Sequence, residues 1–246
     1  MQSIAVAGND EAAGAKWLKY YSSAQSILVV GDGDFSFSLS LATAFGSGDE
    51  LVATSLDTYE DLGTKYGSAL SNVSELGRMG ATVLHGVDAK VMHLHAHLLL
   101  RRFDRIVFNL PHAGFRGRED NADMIRPAHL DRAIFVYRAT SHQELVRGFF
   151  GSARGMLGRH GEIHVAHKTK HPYWTWDIEQ LASESSLRLI EKVPFEKEDY
   201  PGYNQKRGDS WRCDQDFPID DCCTFKFGVQ QISATIDFSS FFGTGL

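Results

Sequence analysis

Cysteine is scarce in this chain. The three cysteines, Cys213, Cys222 and Cys223, are odd in number and have no CxxC spacing, which argues against a disulfide framework and for free thiols in a reducing compartment. Cys222 and Cys223 are neighbours, and neighbouring residues of a strand face opposite sides, so this pair is a poor metal chelate.

Excess positive charge and long apolar runs are also lacking. The chain carries 25 Lys and Arg against 31 Asp and Glu, a formal net charge of −6. It therefore has no global basic surface, and any contact with nucleic acid must depend on local patches. No run approaches the roughly 18 apolar residues of a membrane-spanning helix, and Asp10 and Glu11 precede the first apolar run. We expect a soluble protein that is not secreted and has no membrane partner.

Short β-rich runs alternate with helix-like segments along the chain. The runs that predict strands are 27–30, 51–56, 82–86, 104–110, 162–167, 187–193 and 222–227. Those that predict helices are 35–45, 59–79, 91–102 and 141–157. This alternation predicts an α/β fold: a doubly wound, mostly parallel seven-stranded sheet with helices on both faces.

The organisation predicted is one large domain over residues 24–228, with an N-terminal extension at 1–23 and a C-terminal tail at 229–246. The helix at 141–157 is expected to begin at Ser141, because Glu144 three residues later completes a capping box. A long polar stretch, 195–221, is either a lid over the site or a surface loop.

A glycine-rich turn, GDGDFS, follows the first predicted strand. Gly31 and Gly33 there would let a ligand approach the backbone at a helix N-terminus. A dinucleotide fingerprint would have a third glycine where this chain has Ser36, and two acids, Asp32 and Asp34, would repel a pyrophosphate. The turn therefore favours a cationic, phosphate-free cofactor such as S-adenosylmethionine. The simpler alternative is a tight turn whose acids stabilise the helix start.

Two further acids follow later strands. Asp57 ends the second predicted strand, at the usual distance for a carboxylate that accepts hydrogen bonds from ribose hydroxyls. Asp88 follows the third strand and can accept from an adenine amino group. Either residue alone would be read as a helix cap.

The fourth predicted strand ends in an Asn-x-Pro-x turn, Asn109 to His112. Similar turns in methyltransferases that act on planar nitrogens hold the target N–H, so Asn109, Pro111 and His112 are the candidate catalytic residues. His112 is a candidate general base because imidazole titrates near neutral pH. The alternative is a turn histidine that bonds a neighbouring carbonyl.

These motifs carry a resemblance to a known family. The stretches GDGDFSFSLSLA, FNLPHAGFRGRED, GEIHVAHKT, PYWTWDIEQLA and EDYPGYNQKRG resemble the eukaryotic rRNA uridine-N3 methyltransferase-like family, over roughly residues 24–228. The resemblance implies a Rossmann-like fold, rRNA as partner through a single-stranded or flipped uridine, and a nuclear or nucleolar location, the alternative being the cytoplasm. It also implies a cofactor site for S-adenosylmethionine formed by Gly31, Asp32, Gly33, Asp34, Phe35, Ser36, Asp57, Asp88 and Asn109.

Basic and aromatic residues near the same end of the sheet are candidates for substrate binding. Such residues suit phosphate contact and the stacking of an unpaired base; the alternative is a solvated rim. The candidates are Arg116, Arg118, Lys168, Tyr203, Lys206 and Arg207. Trp174 and Trp176 are interpreted as packing residues.

Residues 126–140 interrupt the family pattern, which otherwise passes from the RED turn almost directly into the segment after 140. They are interpreted as an extra helix or an unusual splice product. This apolar insertion keeps a second substrate class open: a small amine or heterocyclic metabolite. A noncatalytic adenosine-binding or RNA-assembly module is a third alternative.

Histidines at alternate positions, His93, His95 and His97, raise the question of a metal. In the helix predicted over 91–102 only His93 and His97 share a side, and two histidines without a carboxylate make a weak site. No metal is expected.

Overall fold

The computed structural model describes residues 14–113, 128–171, 173–208 and 211–230, with the backbone alone for 128–138. Its strands form a two-stranded hairpin and a seven-stranded sheet. The hairpin strands are β1 (Trp17–Leu18) and β2 (Tyr21–Ser22). The sheet strands are β3 (Ile27–Val29), β4 (Leu51–Thr54), β5 (Thr82–Leu84), β6 (Phe103–Asn109), β7 (Leu157–Lys168), β8 (Leu187–Pro194) and β9 (Cys222–Val229).

The seven strands lie in the order β5-β4-β3-β6-β7-β9-β8. All neighbours are parallel except β9, which is antiparallel to both β7 and β8. The chain runs outward from β3 to β5 and then crosses back to β6, so the order of strands reverses between β3 and β6. The predicted mostly parallel, doubly wound sheet is confirmed, and this reversal is where such folds bind ligands.

Five α-helices lie among the described residues: α1 (Ser36–Phe45), α2 (Tyr59–Lys65), α3 (Ala69–Arg78), α4 (Ala128–Arg154) and α5 (Ile178–Glu184). Single 3-10 turns lie at Met92–Leu94, Tyr173–Trp176 and Lys197–Asp199. None of the helices in the described ranges is long and apolar enough to cross a membrane.

Burial of both faces of the sheet divides the core in two. Leu28 and Val30 face one core, which includes Phe149 from α4. Ile27 and Val29 face the other, which includes residues of α1, α2 and α3. Because successive residues of a strand point to opposite faces, an unbroken apolar run such as 27–30 is what a doubly covered strand requires.

The predicted helix over 59–79 was wrong in its middle. The helix breaks at Tyr66, which has an extended backbone (φ −132°, ψ 118°) while its N–H still bonds Leu62. The break directs the Tyr66 side chain to the loop after β8, where its hydroxyl donates to the carbonyl of Gly208 at 3.1 Å.

The predicted helix over 91–102 was also wrong. A 3-10 turn at Met92–Leu94 is followed by further turns, and Leu100 has a φ of +71° that no continuing helix allows. The backbone N–H and the Nδ1 of His93 both bond the hydroxyl of Ser152 on α4, at 3.1 and 2.8 Å. These contacts with a distant element replace the regular helical bonds that the local sequence favours.

The fourth predicted helix begins earlier than expected. The capping box at Ser141 was a wrong prediction, because α4 begins at Ala128 and runs through Ser141 to Arg154. Most of the insertion 126–140 therefore continues the backbone of α4 and forms no separate helix. At the N-terminal end of the chain, Tyr21 of β2 is buried and its ring packs on Phe37 of α1; residues 1–13 and 231–246 lie outside the described ranges.

Replacement of Phe150 by Ala should lower the free energy of unfolding by about 3–5 kcal/mol, as expected for a buried phenylalanine. Phe150 is fully buried on α4 between the rings of Phe149 and Phe227. Leu94→Ala, at a side chain that is 66% exposed, is the control and should change stability by no more than about 0.5 kcal/mol. Denaturant unfolding of both variants measures the difference, and equal effects would contradict the assigned core.

Candidate active site

A cavity of about 610 Å³ opens at the carboxyl ends of the central strands, where the strand order reverses. This volume lies within the usual range of about 300–1,000 Å³ for ligand pockets. The predicted site residues that line it are Gly31, Asp32, Gly33, Asp34, Asp57, Asp88, Asn109, Pro111, His112, Lys168, Tyr203, Lys206 and Arg207. Phe35 and Ser36 are buried at the start of α1. Arg116 and Arg118 lie outside the described residues.

The glycine-rich turn is held between two strands. The Val30 N–H donates to Val107 of β6 at 2.8 Å, and the Asp32 N–H donates to Thr54 of β4 at 3.0 Å. Gly31 has a φ of +61°, and a Cβ there would come within 2.9 Å of the Phe108 ring. Gly33 has a φ of +55°, and among the described residues nothing lies within 4 Å of where its Cβ would be. The turn thus presents bare backbone to the cavity.

The two acids of this turn stabilise the start of α1. A carboxylate oxygen of Asp32 accepts from the Ser38 N–H at 2.8 Å, and one of Asp34 accepts from the Ser36 N–H at 3.0 Å. Phe35, which follows Asp34 and directly precedes the helix, is in the left-handed conformation, and its side chain makes no capping hydrogen bond. Burial raises the pKa of Asp32 to about 7 and also raises the pKa of Asp34. The acids therefore stabilise the helix start, as the simpler alternative from the sequence predicts, and both also line the cavity.

Asp57 and Asp88 stand at the ends of β4 and β5, on one side of the cavity. Asp57 pairs with Lys65 of α2. The Asp88 carboxylate accepts from the Lys90 N–H at 2.9 Å, and the Lys90 ammonium lies 3.7 Å away. Each acid thus meets a lysine that also lines the cavity.

The turn after β6 is fixed by a bond to β7. Leu110 has a φ of +46°, and its N–H donates to Ala166 at 2.9 Å. The Asn109 side-chain Nδ2 is buried and has no hydrogen-bond partner in the described part of the chain. Pro111 is buried, whereas His112 is exposed. A buried amide without a partner is costly unless a ligand or water supplies an acceptor.

The loop after β8 packs against α1 and forms another wall of the cavity. The Ser36 hydroxyl accepts from the Asn204 N–H at 2.9 Å. Tyr203 is buried, and its ring lies 5.3 Å from that of Phe37. The Lys206 ammonium pairs with Asp214 at 2.9 Å. This part of the stretch 195–221 is packed into the domain, so it is neither a free lid nor a solvated loop.

Two histidines meet at the wall of the cavity, which one of them lines, and no pattern along the sequence indicates their contact. The Nε2 atoms of His142 on α4 and His167 on β7 lie 3.2 Å apart, and the His142 ring packs against Trp176, tilted by 38°, at 3.9 Å between centroids. Burial lowers the pKa of His167 to about 4 and that of His142 well below its ordinary value. Both rings are therefore neutral at pH 7, with the His167 Nδ1–H donating to the Lys168 carbonyl at 2.8 Å.

The two tryptophans of the neighbouring 3-10 turn differ in their exposure to solvent. Trp176 is buried as predicted, whereas the packing role predicted for Trp174 was wrong, because its side chain is 63% exposed. A 3-10 helix has three residues per turn, so Tyr173 and Trp176 share the side that lines the cavity and Trp174 points elsewhere.

The cavity fits an adenosine-bearing sulfonium cofactor by its own geometry. Bare backbone at Gly31 and Gly33 admits close approach, and acids at the ends of two successive strands, Asp57 and Asp88, match hydroxyl and amine donors. The unpartnered Asn109 amide comes from β6, which lies on the other side of β3 from those two strands. A cofactor bound beside Asp57 and Asp88 would leave room next to Asn109 for a second molecule, the substrate.

One family model matches most of the chain. Residues 28–207 match the family model described as "BMT5-like: rRNA (uridine-N3-)-methyltransferase BTM5-like". The chain belongs to the BMT5-like family. Membership of this methyltransferase family, together with the Rossmann-like sheet, supports S-adenosylmethionine as the cofactor, as the sequence predicted.

Relatives of this BMT5-like chain include plant and fungal proteins. It is 50% identical over 217 residues to the heavy metal-associated isoprenylated plant protein 41 of Arabidopsis thaliana, covering 88% of this chain but only 39% of that protein. It is 22% identical to the 25S rRNA (uridine(2634)-N(3))-methyltransferase of Saccharomyces cerevisiae, covering 76% of this chain and 67% of that one. A solved structure, the glycopeptide N-methyltransferase MtfA complexed with sinefungin, is similar at a TM-score of 0.49 with 11% identity, covering 83% of this chain and 80% of that one.

Stability should depend on pH through the histidine pair. The unfolded chain binds protons to His142 near its ordinary pKa of 6.5, while the folded protein does not, so the free energy of unfolding contributed by this group falls as pH drops from about 7 to about 5. Asp32 has the opposite effect over this range. Its raised pKa makes the folded protein hold a proton that the unfolded chain does not, so its contribution to the free energy of unfolding rises as pH falls.

His142→Phe, which retains an aromatic ring against Trp176, isolates the histidine contribution. Denaturant unfolding at a series of pH values should show wild type losing its stability relative to this variant as pH falls. Parallel curves for the two proteins would contradict a neutral buried His142.

Proposed function

We propose that this chain transfers the methyl group of S-adenosylmethionine to N3 of a uridine in large-subunit rRNA. The observation that carries the proposal is the buried, unpartnered Nδ2 of Asn109, which lies in the cavity where the strand order reverses. A uridine ring offers carbonyl oxygens on both sides of N3, and such an oxygen is the acceptor that this amide lacks. The printed activity of the yeast relative supports the same substrate class.

The cofactor would lie along the first turn and the ends of β4 and β5. Gly31 and Gly33 would admit its amino-acid part, Asp57 would accept from its ribose hydroxyls, and Asp88 would accept from its adenine amino group. When bound, S-adenosylmethionine supplies a methyl carbon bonded to a positively charged sulfur.

The residues of the turn after β6 would act on the substrate base. Asn109 would hold one carbonyl oxygen beside N3, and buried Pro111 would fix the path of the turn. His112 would accept the N3 proton, since a lone pair on N3 is needed before this nitrogen can form a new bond. Orientation supplies much of the rate in such an in-line transfer.

The substrate would enter as an extruded base. Ring nitrogens of a paired base are inaccessible, so a uridine must leave its helix to reach the cavity. Arg207 and Lys206 lie at the wall formed by the loop after β8, and we propose that they face the RNA backbone together with Tyr203. Action on nascent large-subunit rRNA would occur in the nucleolus.

The deciding experiment incubates the purified protein with methyl-labelled S-adenosylmethionine and either large-subunit rRNA that lacks uridine-N3 methylation or a small-metabolite extract. Label recovered as 3-methyluridine in the rRNA is the expected result. Label confined to metabolites would assign a small-molecule substrate, and no label in either would assign the noncatalytic role. Asp88→Ala is the negative control.

Removal of the Asp57 carboxylate should weaken cofactor binding by about 1–3 kcal/mol, as for the loss of a charged hydrogen-bond partner. Isothermal titration calorimetry of Asp57→Ala against S-adenosylmethionine measures this change. Glu60→Ala, an exposed acid three residues further on α2, should bind like wild type. Equal affinities for all three proteins would remove Asp57 from the cofactor site.

Replacement of His112 by Ala should lower turnover by about 10²-fold or more, the usual contribution of general base catalysis, and leave cofactor affinity unchanged. Methyl transfer to rRNA gives the first quantity and calorimetry the second. Full activity of His112→Ala would show that another group takes the proton.

A further inference from the structure

Lysines that line the cavity differ in how their charge is balanced. Lys65 pairs with Asp57, Lys90 lies 3.7 Å from Asp88, and Lys206 pairs with Asp214 at 2.9 Å. For these lysines the positive charge is already largely neutralised by the protein.

Lys168 is different. Its Nζ lies 4.2 Å from the centroid of the Phe217 ring and 5.4 Å from that of Tyr173. Within the described ranges no carboxylate lies within ion-pair distance of this ammonium. Aromatic faces stabilise a cation but do not neutralise it. Lys168 therefore presents to the cavity that it lines a positive charge with no direct carboxylate partner in the described part of the chain.

The position of Lys168 places this charge on the substrate side. In the pairing of β6 with β7, Asn109 stands opposite Ala166, so Lys168 lies two residues beyond that pair at the end of the neighbouring strand. Asn109, His112 and Lys168 line the same cavity. The cofactor acids Asp57 and Asp88 come instead from β4 and β5, on the other side of the strand reversal.

The groups around Lys168 have opposite effects on the pKa of its ammonium. Burial lowers its pKa, and Arg207 acts in the same direction, whereas Asp220, Asp221 and Cys222 act to raise it. His167 beside it is neutral at pH 7, and Glu144 of α4 lines the same cavity. A partly buried cation gains more from an anionic partner than a fully solvated one does, so this site favours a substrate group that acquires negative charge.

We propose that Lys168 is a catalytic residue whose ammonium contacts a carbonyl oxygen next to N3 of the substrate uridine and stabilises the negative charge that forms there. This inference rests on the proposed function. The N3–H bond breaks and its proton passes to a base, for which we have proposed His112. The electron pair left on N3 is shared with the two flanking oxygens, one of which meets Lys168. The same pair then forms the bond to the methyl carbon, whose former bonding pair stays on sulfur.

A matched control lies two residues along the chain. Lys170 follows β7, its ammonium pairs with Asp221, and its side chain is 74% exposed. Lys168→Met and Lys170→Met remove the same charge from the same end of the sheet, but only the first removes it from the cavity. Lys168→Arg restores a positive charge that cannot act as a base, because guanidinium stays protonated.

The kinetic test measures methyl transfer to unmethylated large-subunit rRNA at saturating cofactor. Lys168→Met should lower kcat by about 10²-fold, the cost of removing one group that stabilises an oxyanion. Lys170→Met should remain close to wild type, and Lys168→Arg should recover part of the loss. A raised KM and a weaker salt dependence with unchanged kcat would instead make Lys168 a phosphate contact and overturn the proposal.

Binding provides a readout that does not depend on turnover. A short single-stranded RNA carrying one 5-fluorouridine, whose N3 proton is more acidic than that of uridine, is titrated by fluorescence anisotropy at increasing pH. Wild type and Lys170→Met should bind it more tightly as the base ionises, and Lys168→Met should not. The same RNA with 3-methyluridine cannot ionise and should show no such increase in any of the proteins.

The outcomes separate this inference from the proposed function. An inactive wild type would contradict the proposed function itself. An active wild type whose Lys168→Met variant matches Lys170→Met in kcat and in binding would contradict only the role of Lys168. If Lys168→Arg is as inactive as Lys168→Met while its thermal unfolding is unchanged, Lys168 would be the proton acceptor, and its role in charge stabilisation would be wrong.

Discussion

The hydrogen bonds around the turn after β3 are the constraint on which the site depends. The amides of Val30 and Asp32 reach the strands on either side, while the carboxylates of Asp32 and Asp34 hold the first amides of α1. One short segment thus fixes two strands and a helix relative to one another. The Ser36 hydroxyl bonds the loop after β8 to the start of the same helix. The walls of the cavity are therefore positioned by one short segment of the chain.

Much of the fold could be predicted from sequence because its strands are continuous apolar runs that both cores require. The errors lie where distant contacts override local preference: His93 bonds Ser152, and Tyr66 leaves its helix to bond Gly208. The residues of the site likewise could be predicted where they belong to local motifs and could not where they meet across distant elements. Gly31 and Asn109 belong to motifs with local spacing, whereas His142 and His167 meet across elements and their contact has no pattern along the chain.

Charge in the cavity is arranged locally, and the net charge of the chain is a poor guide to it. An overall charge of −6 coexists with lysines held in ion pairs and one ammonium placed between aromatic faces. Burial raises the pKa of Asp32 to about 7, so this side chain is only partly ionised at neutral pH, and burial also raises the pKa of Asp34. Selectivity in such a cavity comes from which few charges remain uncompensated rather than from their total number.

The position of β9 determines when the sheet can be completed during synthesis. This strand comes last in the sequence among the described elements but lies between β7 and β8. While the ribosome is still making residues 195–221, β8 has no neighbour in the sheet and β7 has an open edge. Closure of the sheet, and with it burial of Phe225 and Phe227, has to wait for residues 222–229, so the open edge of β7 stays unprotected until β9 has been made.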